Sequence, residues 1–93
     1  MTTEKYLGQG NWLDVGMYIQ SIMLAAKGLG LETCPQAAGV PYQETIFRHL
    51  DVPADQILVT GMSIGYPKQD AIENTLVSDR EDIANVAKYF GFE

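Results

Sequence analysis

The chain has 93 residues, of which 46% are hydrophobic and 19% charged, and six basic against twelve acidic side chains leave a net charge of -6. That size and balance suit one folded unit and exclude a multidomain machine, wholesale disorder and a fibrous repeat. The acidic excess disfavours nucleic acid and anionic membrane as partners, and one cysteine (Cys34) with one histidine (His49) supplies neither an internal disulfide nor a zinc cluster, so no metal and a cytoplasmic setting are expected.

Residues 1–11 are polar and broken by Gly8 and Gly10, which predicts a tail or incoming loop ahead of a folded part over 12–93. They also lack the apolar core of a signal peptide. From Trp12 to Lys27 the apolar residues wrap nearly the whole circumference of a predicted helix, so it is expected to be covered on most sides. Asp14, Gln20, Ser21 and Lys27 interrupt the run, and about 16 residues is short for a bilayer span, which favours burial in protein, against a second subunit or further chain. Gly28 and Gly30 suit the helix end.

An extended piece over 31–34 leads into the loop Pro35-Gln36-Ala37-Ala38-Gly39-Val40-Pro41. A helix over 42–50 follows, with Tyr42, Ile46 and Leu50 on one face. Residues 57–64 predict a strand covered on both faces, stopped by Gly65-Tyr66-Pro67, and 68–77 a surface loop. Ser78 with Glu81 predicts a capping box for a last helix in which Ile83, Ala84, Val86, Ala87 and Phe90 recur at helical spacing. Three helices and two strands make an α+β fold.

Generic chemistry motifs are absent. Gly8-Gln9-Gly10 and Gly28-Leu29-Gly30 lack the third glycine of a dinucleotide fingerprint and are read as turns. His49 suits a surface position, Cys34 a buried and inert thiol, and Asp70, Glu73 and Asp79 solvated carboxylates.

The ordered pieces Trp12-Leu13-Asp14-Val15-Gly16, Leu24-Ala25-Ala26, Gly28-Leu29-Gly30-Leu31-Glu32-Thr33-Cys34-Pro35-Gln36-Ala37-Ala38 and Gly61-Met62-Ser63-Ile64-Gly65-Tyr66-Pro67 together resemble the C-terminal half of the FMN-dependent nitroreductase family. The resemblance implies a nitroreductase-like fold fragment and a homodimer packed through residues 12–29, with FMN along the interface. It places Pro35 and Gln36 beside the flavin ring and aims the N–H groups of Ala37 and Ala38 at N5 and O4. Donors there tune the flavin without an acidic side chain. Arg80, with Ser78 as a hydroxyl donor, would hold the phosphate. Read without the resemblance, Ala37 and Ala38 are a tight turn, and Ser78 and Arg80 a capping box and a surface pair.

The implied activity passes electrons from NAD(P)H through FMN to nitroaromatic or quinone acceptors, with no catalytic side chain in this segment. The family's Arg-rich N-terminal half has no counterpart here, and Ser78 stands where many relatives carry another basic residue. Two other readings stay open: a catalytically incomplete, dimerising half-site, and a small binding module unrelated to flavin.

Overall fold

The computed structural model describes residues 1–92. Helix α1 spans Gln9–Gly28, three residues earlier than the apolar run, because Gly8 takes an extended N-cap conformation and lets Gly10 and Asn11 into the first turn. Its end closes by a double bond pattern at Gly30. The N–H of Gly30 reaches the Lys27 carbonyl at 3.1 Å and that of Leu31 the Ala26 carbonyl at 2.9 Å. This requires a left-handed residue between helix and strand, and Gly30 supplies it at φ +77.

The expected tail contains a strand. Strand β1 (Thr2–Glu4) pairs antiparallel with β3 (Gln56–Leu58), Thr2 opposite Leu58 and Glu4 opposite Gln56. β-branched Thr2 and Thr3 suit a pleated ladder, and Thr3 is buried. The ladder is extended by bonds from the N–H groups of Lys5 to Asp55 and of Val59 to Met1, both 2.9 Å.

The single strand expected over 57–64 is also two strands in different ladders. After Leu58 the chain crosses Val59 and Thr60, and β4 (Gly61–Gly65) pairs antiparallel with β2 (Glu32–Gln36), Gln36 opposite Gly61 and Glu32 opposite Gly65. The crossing is internally bonded, since the buried Thr60 donates its hydroxyl to the Gly61 carbonyl at 2.8 Å. Coverage on both faces is not seen either: Leu58 is buried but Ile64 is half exposed.

Between β2 and β3 lies a 3-10 segment, Ala37–Tyr42, followed by α2, Gln43–Leu50. Pro41 sits in the 3-10 part, and α2 ends at Asp51, left-handed at φ 51. The inner face of α2 is Gln43, Ile46 and Phe47; Tyr42 and Leu50, expected to join Ile46, are exposed.

Residues 68–77 form the expected loop with a 3-10 turn at Ile72–Thr75. The last helix is one turn, α3, Ile83–Val86. No capping box forms: Glu81 accepts a hydrogen bond from the Asn85 side chain, and Ser78 is engaged by Arg80. Ala87 is extended, and Tyr89 meets Phe92 edge-to-face.

Helix α1 packs one stripe, Val15, Ile19, Ile22 and Ala26, toward β1 and β2. On the opposite side Leu13, Met17, Gln20 and Leu24 repeat the same spacing, and Leu13, Met17 and Leu24 are 61–68% exposed. Ala26 and Leu58 are the only buried apolar residues among those described. The accessible surface is 8048 Å², against about 5,400 Å² for a compact monomer of this mass. The radius of gyration is 17.4 Å, where a compact domain of this length has about 12 Å. The molecule is an α+β frame with its apolar faces open.

Candidate functional site

The candidate residues follow one turn of chain. Pro35 has no N–H to donate, which an edge strand of a two-stranded ladder tolerates. Gln36 ends β2 in an extended conformation (φ -136, ψ 113), and its Oε1 lies 3.5 Å from the Ser63 hydroxyl across the ladder. The backbone then winds directly into the 3-10 segment at Ala37.

That switch creates the chemistry. The first N–H groups of such a helix have no acceptor within it, and Gln36 makes no side-chain cap. Ala37 and Ala38 hold those positions, and both are exposed with only a methyl beyond the backbone. They form an open shelf where a flat acceptor-edged ligand meets donors directly. Behind it the chain lies close on α2: a Cβ on Gly39 would stand 3.2 Å from Ile46 Cδ1.

Arg80 and Ser78 are brought together. Arg80 Nη1 donates to Ser78 Oγ at 2.6 Å, to the Ser78 carbonyl at 3.2 Å and to the Asp79 carbonyl at 3.0 Å. This fixes one end of the guanidinium. Its Nε and Nη2 make no hydrogen bond among the described residues, so an edge suited to a bidentate oxyanion stays available. The expected alternative, a cap plus a surface ion pair, does not form; the ion pair among the described residues is Lys27–Glu32. No hydrogen bond joins Ser78 or Arg80 to Pro35, Gln36, Ala37 or Ala38 among the described residues.

Two features escaped the sequence reading. A cleft of about 750 Å³ runs beside the β2–β4 ladder past Thr33, Cys34, Ser63, Tyr66 and Asn74, and includes none of the six candidates. Cys34 is exposed on its wall, not buried as expected. It is created by the pairing of Cys34 with Ser63, and no local pattern announces that partnership. The second feature is Gln43, whose Oε1 accepts the Leu58 N–H at 2.6 Å. A glutamine just after Pro41-Tyr42 at a helix start was the available signal.

Residues 4–66 match the Nitroreductase family. The chain belongs to the nitroreductase family. Among its relatives, 4-nitrobenzoate reductase of Pseudomonas putida is 36% identical over 92 residues, which is 99% of this chain and 40% of that protein. Chloronitrobenzene nitroreductase of Comamonas testosteroni is 34% identical over 82 residues, covering 88% and 36%. The crystal structure of the FMN and NADPH-dependent nitroreductase NfnB from sphigopyxis sp. strain HMH superposes with a TM-score of 0.93 at 33% identity, over 98% of this chain and 41% of that one. This nitroreductase chain therefore spans about two-fifths of the length of the relatives it matches. No helix among its described residues is long and apolar enough to cross a membrane.

Proposed function

We propose that this nitroreductase chain forms the C-terminal portion of an FMN-dependent oxidoreductase acting in the cytoplasm, taking electrons from NAD(P)H and delivering them to nitroaromatic or quinone acceptors. The observation that carries the reading is the shelf at Ala37 and Ala38: two adjacent exposed residues whose N–H groups have no helical acceptors, at the end of a strand within the part that superposes on NfnB. The donor set fits the flavin. Small side chains let a planar ring approach the backbone, and the pinned guanidinium of Arg80 presents two further donors to a phosphate.

When bound, FMN supplies the two-electron relay between donor and acceptor. Pro35 and Gln36 would pack beside the ring. Ala37 and Ala38 would donate toward N5 and O4; reduced flavin carries its negative charge around N1, C2 and O4, so the donor at O4 would favour the reduced state. Ser78 keeps its own hydroxyl proton for the phosphate while accepting from Arg80. No side chain in this chain need act as acid or base.

The homodimer belongs to the same reading. The exposed stripe of α1, within residues 12–29, lies opposite the packed stripe, and a two-fold axis beside it would bury Leu13, Met17 and Leu24 against their copies. The shelf and Arg80 would then be held by the assembled frame and by an N-terminal half.

Turnover tests the reading. With FMN, NADPH and a nitroarene, the protein carrying both halves is expected to oxidise NADPH, and the 93-residue chain alone is not. Nitroarene-dependent NADPH oxidation by the chain alone would overturn the division of labour, and its absence from the complete protein would overturn the activity. The incomplete, dimerising half-site remains the second reading, favoured by the chain's spanning about two-fifths of the length of the relatives it matches.

A further inference from the structure

The six residues Ala37–Tyr42 are tied at both ends to one short stretch of chain. At the entrance Gln36 pairs with Gly61 across the β2–β4 ladder. At the exit the Gln43 side chain reaches a residue 15 positions further along the chain, and its Oε1 accepts the Leu58 N–H at 2.6 Å in a half-buried position. Leu58 and Gly61 flank the crossing between the two ladders, and the 3-10 segment packs on both β4 and α2. A closed ring results: shelf, ladder, crossing, Gln43 and back to the shelf.

The Leu58 end is anchored, because Leu58 is one of two buried apolar residues and pairs with Thr2. The Gly61 end is anchored by the ladder and by the Thr60 hydroxyl. The 3-10 segment has no such anchor of its own. Gln36 makes no side-chain cap, the segment contains no buried residue, and Ala37 and Ala38 are exposed. Short 3-10 helices have poor hydrogen-bond geometry and unwind readily unless their ends are held. The single side-chain bond holding the exit is that of Gln43.

We propose that Gln43 is a positioning residue for the flavin-facing backbone: by accepting the Leu58 N–H it fixes the direction of the Ala37 and Ala38 N–H groups. This rests on the reading that those groups face FMN. Gln43 lies beyond the shelf and touches neither ligand nor reacting atoms; it acts through the chain it closes.

The test compares the full chain loaded with FMN in three forms: parent, Gln43→Met and Gln43→Glu. Methionine keeps length and volume but removes the acceptor, whereas glutamate keeps an oxygen at the same reach. Three quantities are read: exchange of the Leu58 amide proton, FMN affinity, and the midpoint potential of the bound flavin. Gln43→Met is expected to speed Leu58 exchange at least tenfold and to weaken binding of reduced FMN about tenfold more than of oxidised FMN, a potential about 30 mV lower for a two-electron couple. Gln43→Glu is expected to restore all three. Faster Leu58 exchange with unchanged potential in Gln43→Met would overturn the positioning role while leaving the flavin reading intact, as would a Gln43→Glu variant that behaves like Gln43→Met. Failure of the parent to bind FMN would overturn the flavin reading and the proposal with it.

Discussion

Leu24→Ala separates the outer stripe of α1 from every other feature of the frame. Leu24 is 64% exposed, so the substitution leaves no cavity in the chain, and alanine is the best helix former. Complete burial of a leucine stabilises by about 1.5–3 kcal/mol, so the area still open on Leu24 is worth about 1–2 kcal/mol once a partner covers it. In a two-fold interface each substitution acts twice, giving about 2–4 kcal/mol and a dissociation constant raised roughly 30- to 700-fold. Sedimentation equilibrium over a concentration series reads this directly, with circular dichroism showing that helix content is retained. A parent that is monomeric at micromolar concentration, or a variant that associates as tightly as the parent, would refute the assignment of this stripe to the dimer.

Leu58→Ala should destabilise the chain by about 2–5 kcal/mol, because it empties one of the two buried apolar positions and loosens the β1–β3 ladder; urea unfolding checks this. Gly30→Ala should cost about 1–2 kcal/mol by the same measurement, since φ is +77 there and the helix end depends on it. Ala37→Pro removes one shelf donor at a helix-start position that proline tolerates, after a Gln36 already extended, so the bound flavin should become harder to reduce in a spectroelectrochemical titration. Ser78→Ala removes the hydroxyl that pins Arg80 at 2.6 Å, and about 1 kcal/mol of FMN affinity should go with it, roughly a fivefold change by isothermal titration.

What the sequence disclosed depended on how local the signal was. Helix α1 and its stop were legible because twenty residues carry both apolar stripes and Gly30 closes them. The same run led to the expectation of cover on most sides by a second subunit or further chain, and within the single chain Leu13, Met17 and Leu24 lie exposed. The strands were misjudged because pairing is not local. Residues 57–64 form an unbroken apolar run, yet Val59 and Thr60 carry the chain from one ladder to another, and β1 forms only because Gln56–Leu58 lies beside it. The last helix is a single turn, shorter than its spacing predicts, because Ser78 and Glu81 have capping-box spacing while their side chains take other partners, Arg80 and Asn85. Within the candidate site, Ala37 and Ala38 were singled out by the ordered family pieces alone, whereas Gln43 depends on a bond across 15 residues that no periodicity encodes.

The most direct test of the central claim is a fluorescence titration of the purified chain with FMN, run beside Arg80→Ala. The account predicts saturable quenching of the flavin and at least tenfold weaker binding by the variant, because the free guanidinium edge of Arg80 would be the phosphate's donor. Equal affinity of parent and variant, or no saturable binding by the parent, would contradict it.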